Sequence, residues 1–115
     1  MIPKTPGAKA ESRKVGRSRV LIGGKILLEN LGMSMDCRMR DLTDEGARIV
    51  LAPGILTPDR FELINLRDGV FYSCTVIWRD PPQVGVKFDT RHELTGATDP
   101  RLVRMRALWM NIVNR

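Results

Sequence analysis

Short runs of alternating apolar and polar residues, separated by strong turn signals, constrain the fold of this chain more than any other feature. In residues 35–40, three apolar side chains alternate with aspartate and arginine, which is the period of a half-buried β-strand. Asp68-Gly69 is a strong hairpin signal, and Pro81-Pro82 marks another turn. The six predicted strands lie at residues 20–29, 35–41, 47–51, 61–66, 70–79 and 84–88. With no helix between them, they predict an all-β fold, a six-stranded antiparallel β-barrel.

One helix is predicted after the strands. Asp99 is a suitable N-cap, and Pro100 is tolerated in a first helical turn. The apolar residues that fall on one helical face are Leu102, Met105, Trp109, Ile112 and Val113. We expect this face to pack across an end or a side of the barrel, and any part of it left exposed would favour self-association.

Two further local expectations concern the second half of the chain. His92, the only histidine, is expected in a polar loop without partners for a metal site or for general-base catalysis. The sequence shows no pair of carboxylates and no activated nucleophile with the spacing of a catalytic site. We therefore predict a protein that is not an enzyme and has no metal or cofactor. The residues predicted to share one face of their strand are Tyr72, Cys74, Val76 and Trp78.

The positive charge of the chain is concentrated at its beginning. Residues 1–25 carry seven basic side chains and one acid, whereas residues 26–115 carry twelve of each. A neutral body with a basic arm favours local capture of an anion over a broad nucleic-acid surface. A solubilising tail is the alternative that charge alone leaves open.

Length and composition predict one domain without a membrane span. The 115 residues suffice for a single core, and no apolar run approaches the length of a transmembrane helix or a secretory signal. We expect a disordered basic arm at residues 1–12, the barrel at residues 13–90, and a loop with the helix at residues 91–115. Cys37 and Cys74 fall in predicted strands as small hydrophobes, with a disulfide left open, and the expected compartment is the cytoplasm.

Two motifs flank the first predicted hairpin. Arg13 and Arg17 form an RxxxR pair before the first strand, and Asp41, Thr43 and Gly46 form D-x-T-x-x-G at the end of the second. Each motif alone is a weak signal. Their order, the 23 residues between Arg17 and Asp41, and the later VGVKF strand together resemble a PilZ domain over roughly residues 11–90.

The resemblance implies both a fold and a ligand. PilZ domains are six-stranded antiparallel barrels with a C-terminal helix, and many bind cyclic di-GMP. Carried over to this chain, Arg13 and Arg17 would clamp the phosphates and guanine faces, since a guanidinium can both fork onto phosphate and stack on a purine. Asp41 and Thr43 would hydrogen-bond a guanine edge, with threonine in place of the usual serine. Gly46 would permit the turn, and glycine would be needed there if φ is positive.

These observations predict a cyclic di-GMP receptor whose arm orders on binding and signals to a downstream protein partner. Two alternatives stay open. One is an adaptor with the same barrel that docks proteins without binding nucleotide. The other, disfavoured by the neutral body of the chain, is a nucleic-acid binder that uses the basic arm.

Overall fold

The structure, a computed structural model, describes residues 21–28 and 33–114. All six strands pair antiparallel and close into a barrel in the order β1-β2-β3-β6-β5-β4, which confirms the predicted fold class. The elements are β1 (Ile22–Leu28), β2 (Met33–Arg40), β3 (Gly46–Val50), β4 (Arg60–Asn65), β5 (Val70–Asp80), β6 (Gln83–Glu93) and α1 (Pro100–Val113). The predicted basic arm and both motif arginines lie outside the described residues, so the proposed division into arm, barrel and helix stays a prediction.

The interior of the barrel is filled by the inward-facing residues of the alternating strands. Ile26, Met39, Ile49 and Leu63 are completely buried there, one from each of β1 to β4. Burial of side chains of this size contributes roughly 2 kcal/mol each, so the alternating pattern is what drives closure of the barrel. Cys37 and Cys74 also face this core as free thiols, consistent with their prediction as small buried hydrophobes.

A β-bulge in β5 overturns one prediction about side-chain direction. Val76 pairs with Val86 in β6, but the next paired residue is Trp78, opposite Gly85, so Ile77 is an extra residue in β5. A bulge of this kind shifts the alternation of the strand by one position. Trp78 therefore lies on the outer surface, 42% exposed, and the prediction that it shares one face of the strand with Tyr72 is wrong.

The last strand is longer than predicted. β6 continues to Glu93, and His92 pairs with Phe71 of β5 instead of lying in a polar loop. The prediction was wrong here because residues 89–93 are polar. Their side chains are exposed, so these residues can pair with β5 as a strand without placing apolar side chains in the interior.

Helix α1 packs on the outer side of the barrel, over β1, β4 and β5. The Asp99 carboxylate accepts a hydrogen bond from the backbone N–H of Arg101 at 2.8 Å, which confirms the predicted N-cap. The Trp109 indole N–H donates to the Leu66 carbonyl at 2.7 Å. Leu102, Met105, Leu108 and Trp109 of the helix pack on the buried cluster of Leu27, Ile64, Phe71 and Leu94.

The far end of α1 extends past this contact. Ile112 is only half-buried and Val113 is 45% exposed, although both were predicted to lie on the packed face. Within residues 21–28 and 33–114, no helix combines the length and the apolar character needed to cross a bilayer.

Candidate functional site

The site begins where β2 ends. Asp41 follows Arg40 directly and adopts a φ of 50°, the left-handed conformation that aspartate tolerates better than most residues. Its carboxylate Oδ2 lies 2.7 Å from Nη2 of Arg48 in β3. Arg48 is held in turn by Gln83, whose amide oxygen accepts from Nη1 at 3.0 Å. The carboxylate is therefore fixed in direction by a cation that is itself anchored on β6.

Thr43 shapes the turn between β2 and β3. Its hydroxyl oxygen accepts hydrogen bonds from the backbone N–H groups of Glu45 and Gly46, each at 3.1 Å. The same hydroxyl is within 3.2 Å of the Gly46 carbonyl, to which it can donate. One donor and two acceptor lone pairs are the whole capacity of a hydroxyl group. Hydrogen bonds within the turn thus use the Thr43 hydroxyl, which the resemblance implied would bind guanine.

Gly46 is needed for a reason different from the one expected. Its φ is not in the left-handed range, and the positive φ of this motif belongs to Asp41 instead. A Cβ at position 46 would lie 2.1 Å from the carbonyl oxygen of Val86, because β3 approaches β6 closely at this point. The backbone N–H of Phe88 also donates to Glu45 at 2.7 Å. Glycine therefore allows the turn to lie against β6.

A row of side chains crosses the outer surface beside Asp41. Arg40 in β2 pairs with Arg48 in β3, Arg48 with Gly85 in β6, and Gly85 with Trp78 in β5. Directly opposite residues on one face of a sheet are about 5 Å apart at Cβ. We call this the outer row. Two guanidinium groups and an exposed indole are thus presented on one continuous surface, with only the glycine between them.

Sequence reasoning missed Arg48 and Trp78 as members of this surface. Arg48 lies two residues beyond Gly46, and its place beside Arg40 depends on the register between β2 and β3. The position of Trp78 depends on the bulge at Ile77, for which the sequence carries no visible signal.

A polar cavity of about 190 Å³ lies on the other side of the turn, and Thr43 and Asp44 form part of its wall. Its two arginines are already paired, Arg67 with Asp68 at 2.9 Å and Arg91 with Glu93 at 3.0 Å. The hydrogen bond from Arg67 lowers the pKa of Asp68. Because each cation has a carboxylate beside it, this cavity has no excess positive charge to attract an anion.

The structure thus brings three of the five predicted site residues, Asp41, Thr43 and Gly46, into one turn at the barrel surface. Arg13 and Arg17 lie outside the described residues. Among the residues that the structure describes, there is no group of three or more metal-ligating side chains.

The closed barrel and the hydrogen-bonded turn after β2 define a small β-barrel module. The family model of the PilZ domain matches residues 11–99, and the chain belongs to this family. PilZ domains form a cyclic di-GMP-binding and effector family and are ligand-binding or adaptor modules rather than enzymes. No curated protein matches the chain.

Proposed function

We propose that this protein is a cyclic di-GMP receptor that binds its ligand on the outer surface beside the β2–β3 turn. The observation that carries the proposal is the outer row. Arg40 and Arg48 lie directly opposite each other on neighbouring strands, an arrangement of like charges that is unfavourable by itself. Asp41 offsets one of the two charges. The remaining positive charge suits a phosphodiester, and the exposed Trp78 offers a flat apolar surface to a purine.

Asp41 is the residue proposed to recognise the base. A guanine edge presents neighbouring N–H donors, and an ionised carboxylate is an acceptor with two oxygens. Since Arg48 fixes the direction of this carboxylate, little side-chain entropy remains to be lost when guanine binds. For Thr43 we propose an indirect role, because its hydroxyl already accepts hydrogen bonds from the backbone N–H groups of Glu45 and Gly46. Gly46 then acts by keeping the turn close to β6.

The two motif arginines are proposed to complete the site from the N-terminal arm. Arg13 and Arg17 belong to the segment that carries the whole positive excess of the chain. Guanidinium groups that fork onto phosphate and stack on guanine would hold the arm against the barrel. Fixing the arm costs conformational entropy, so the ligand shifts a population of arm conformations toward the bound one. The fixed arm then presents a surface to a downstream protein.

A second candidate is an adaptor that docks proteins without nucleotide. One observation favours it: the Thr43 hydroxyl is saturated within the turn, and the Asp41 carboxylate is already paired with Arg48. Both groups are therefore satisfied without a ligand. The two functions differ in whether nucleotide binds at all.

Isothermal titration calorimetry of the full chain with cyclic di-GMP separates the two candidates. We expect saturable binding, with GTP giving none, and loss of binding in Arg13→Ala/Arg17→Ala. The matched control is Lys4→Ala/Lys9→Ala, which removes the same charge from the same segment but leaves the motif intact. Retained binding in the lysine variant would show that position, and not net charge, determines affinity.

Asp41→Asn tests the barrel side of the site. Asparagine tolerates the left-handed conformation at position 41, so the change removes the charge with little backbone strain. We expect at least about tenfold weaker binding, or roughly 1.4 kcal/mol. Asp80→Asn, at the exposed end of β5, is the control. If the folded wild-type protein gives no heat with cyclic di-GMP up to about 500 μM, the receptor function is wrong and the adaptor is favoured.

A further inference from the structure

Helix α1 carries a second apolar surface that the barrel does not cover. Val103, Ala107 and Met110 follow one another at the i, i+4, i+7 spacing of a single helical stripe. None of the three packs on the barrel cluster, which contacts Leu102, Met105, Leu108 and Trp109 instead. At 100° per residue the two sets lie on nearly opposite sides of the helix. We call the uncovered set the outer stripe.

The exposure of this stripe is unusual for so apolar a helix. Met110 is 46% exposed, Ala107 is exposed, and no residue of α1 is fully buried. Val113, near the end of the helix, is 45% exposed as well. Contiguous exposed apolar surface that is flanked by polar residues commonly marks a site of interaction.

The charged side chains within α1 are all of one sign, and the acid next to the helix in the sequence is its N-cap, Asp99. From Pro100 to Asn114 the helix contains no acidic residue. Arg104 and Arg106 flank the stripe on its two sides. Arg106 donates to the Ala97 carbonyl at 3.3 Å, whereas Arg104 is exposed and has no side-chain partner among the described residues. A surface of this kind selects an occupant with negative charge beside its apolar residues.

We infer that the outer stripe docks an amphipathic helix of a partner protein, with acidic residues on both sides of that helix's apolar face. Two helices pack side by side along rows of residues three and four apart, which is the spacing of Val103, Ala107 and Met110. The inference goes beyond nucleotide binding and does not depend on it, since α1 packs over β1, β4 and β5 while the outer row crosses β2, β3, β6 and β5.

Other occupants fit the charges less well. A second copy of the chain would bring an equally basic helix to the stripe. The basic residues 1–25 of this chain would meet the same repulsion. An anionic bilayer is matched in charge, but helices that lie on membranes insert a broad apolar face with aromatic residues, and Trp109 is turned to the barrel.

Fluorescence anisotropy with designed peptides tests the inference on the full-length protein. The probe is a labelled amphipathic peptide of about 18 residues, five helical turns, with leucine on one face and glutamate on both sides of it. Its counterpart carries lysine in place of glutamate, and phosphatidylserine vesicles serve as the membrane probe. We expect the acidic peptide to bind at tens of micromolar, on the order expected for a small contact, with binding that weakens as salt increases.

Two variants locate the contact, and a third controls for a general effect of charge. Met110→Glu puts a carboxylate in the stripe, and Arg104→Glu reverses the charge beside it. We expect each to weaken binding of the acidic peptide by about tenfold. Met33→Glu makes the same substitution at the start of β2, at a methionine that is 53% exposed, and should bind like the wild type. Circular dichroism and thermal unfolding check that all three variants fold.

The inference fails if the acidic peptide does not bind, if the lysine peptide binds equally well, or if Met33→Glu weakens binding as much as Met110→Glu. Binding to the vesicles without binding to the peptide would also overturn it, in favour of a membrane surface. Sedimentation equilibrium tests the remaining occupant: a dimer of the wild type that Met110→Glu dissociates would assign the stripe to a second copy. Selective, salt-sensitive binding of the acidic peptide that both α1 variants weaken supports the inference.

Discussion

The carboxylate of Asp41 lies 2.7 Å from the guanidinium of Arg48, and this ion pair joins the end of β2 to the outer face of β3. Asp41 adopts the left-handed conformation, so its side chain is aimed by the backbone and then fixed by the arginine. The amide of Gln83 completes the chain of contacts to β6. In the proposed receptor, Arg48 is therefore a positioning residue for Asp41.

Arg48→Gln should weaken binding of cyclic di-GMP more than it weakens the fold. The two side chains are 31% and 21% exposed, and exposed ion pairs contribute at most about 1 kcal/mol to stability. Loss of a fixed carboxylate direction and of one guanidinium near the phosphates should raise Kd about tenfold, roughly 1.4 kcal/mol. Calorimetry measures Kd, and urea unfolding measures the change in the free energy of unfolding.

Arg60→Gln is the control for this change. Arg60 is exposed at the first residue of β4, away from the outer row, and its removal lowers the net charge by the same amount. Tighter binding of the ligand by Arg48→Gln would contradict the positioning role, because it would mean that Arg48 competes with guanine for Asp41.

Gly46→Ala should destabilise the barrel. The new Cβ would lie 2.1 Å from the Val86 carbonyl oxygen, so β3 and β6 must separate at the turn. Insertion of a methyl group into a site with no room typically costs about 1–3 kcal/mol, and backbone on the other side of the contact leaves little freedom to adjust. Urea unfolding measures the loss, and ligand binding should weaken with it because the turn moves.

Gly23→Ala provides the comparison within the same sheet. A Cβ at position 23 meets only the end of the Leu66 side chain, at the ordinary contact distance of 3.6 Å. The stability of this variant should remain within about 0.5 kcal/mol of the wild type. Equal losses for the two alanine variants would contradict a specific clash between position 46 and the Val86 carbonyl.

The glycine sites show which features of the fold can be predicted from the sequence and which cannot. The strand period predicted the barrel, and the spacing of Asp41, Thr43 and Gly46 predicted a turn beside it, because both depend on local patterns. The reason for Gly46 could not be predicted, since it depends on a strand that lies forty residues further along the chain. Trp78 and Arg48 were missed because their positions also depend on distant strands. The bulge in β5 places Trp78, and the pairing of β3 with its neighbours places Arg48.

Trp109→Phe should loosen the helix from the barrel. The indole N–H donates to the Leu66 carbonyl at 2.7 Å, and the ring lies over Gly69, whose φ of 66° forms the β4–β5 turn. Phenylalanine keeps most of the apolar contact but leaves the carbonyl without its donor, which costs about 1 kcal/mol. For a chain of this size, we expect thermal unfolding to shift by about 5 °C.

The second of the two tryptophans is the matched control. The Trp78 indole covers Gly85 on the outer surface, and its N–H has no acceptor among the residues that the structure describes. Trp78→Phe should therefore shift the unfolding temperature less than Trp109→Phe. A larger shift for Trp78→Phe would contradict the assignment of Trp109 as the main link between helix and barrel.

The stability of the protein should fall at alkaline pH because of its two buried thiols. Burial raises the pKa of Cys37 from 9.0 to about 12 and raises the pKa of Cys74 as well. The folded state therefore keeps both protons after the unfolded thiols have begun to ionise, and stability is lost as pH rises above the unfolded value. Between about pH 8 and pH 10 we expect roughly 1 kcal/mol of unfolding free energy to be lost per thiol.

Urea unfolding of the wild type and of Cys37→Ala/Cys74→Ala, in reductant and across this pH range, isolates the contribution of the thiols. The double variant will be less stable at every pH because it loses core volume, so the comparison uses the slope of stability with pH and not its level. Every lysine and tyrosine is present in both proteins. A steeper decline in the wild type is the expected result, whereas parallel slopes would mean that Cys37 and Cys74 ionise in the folded state as readily as in the unfolded chain.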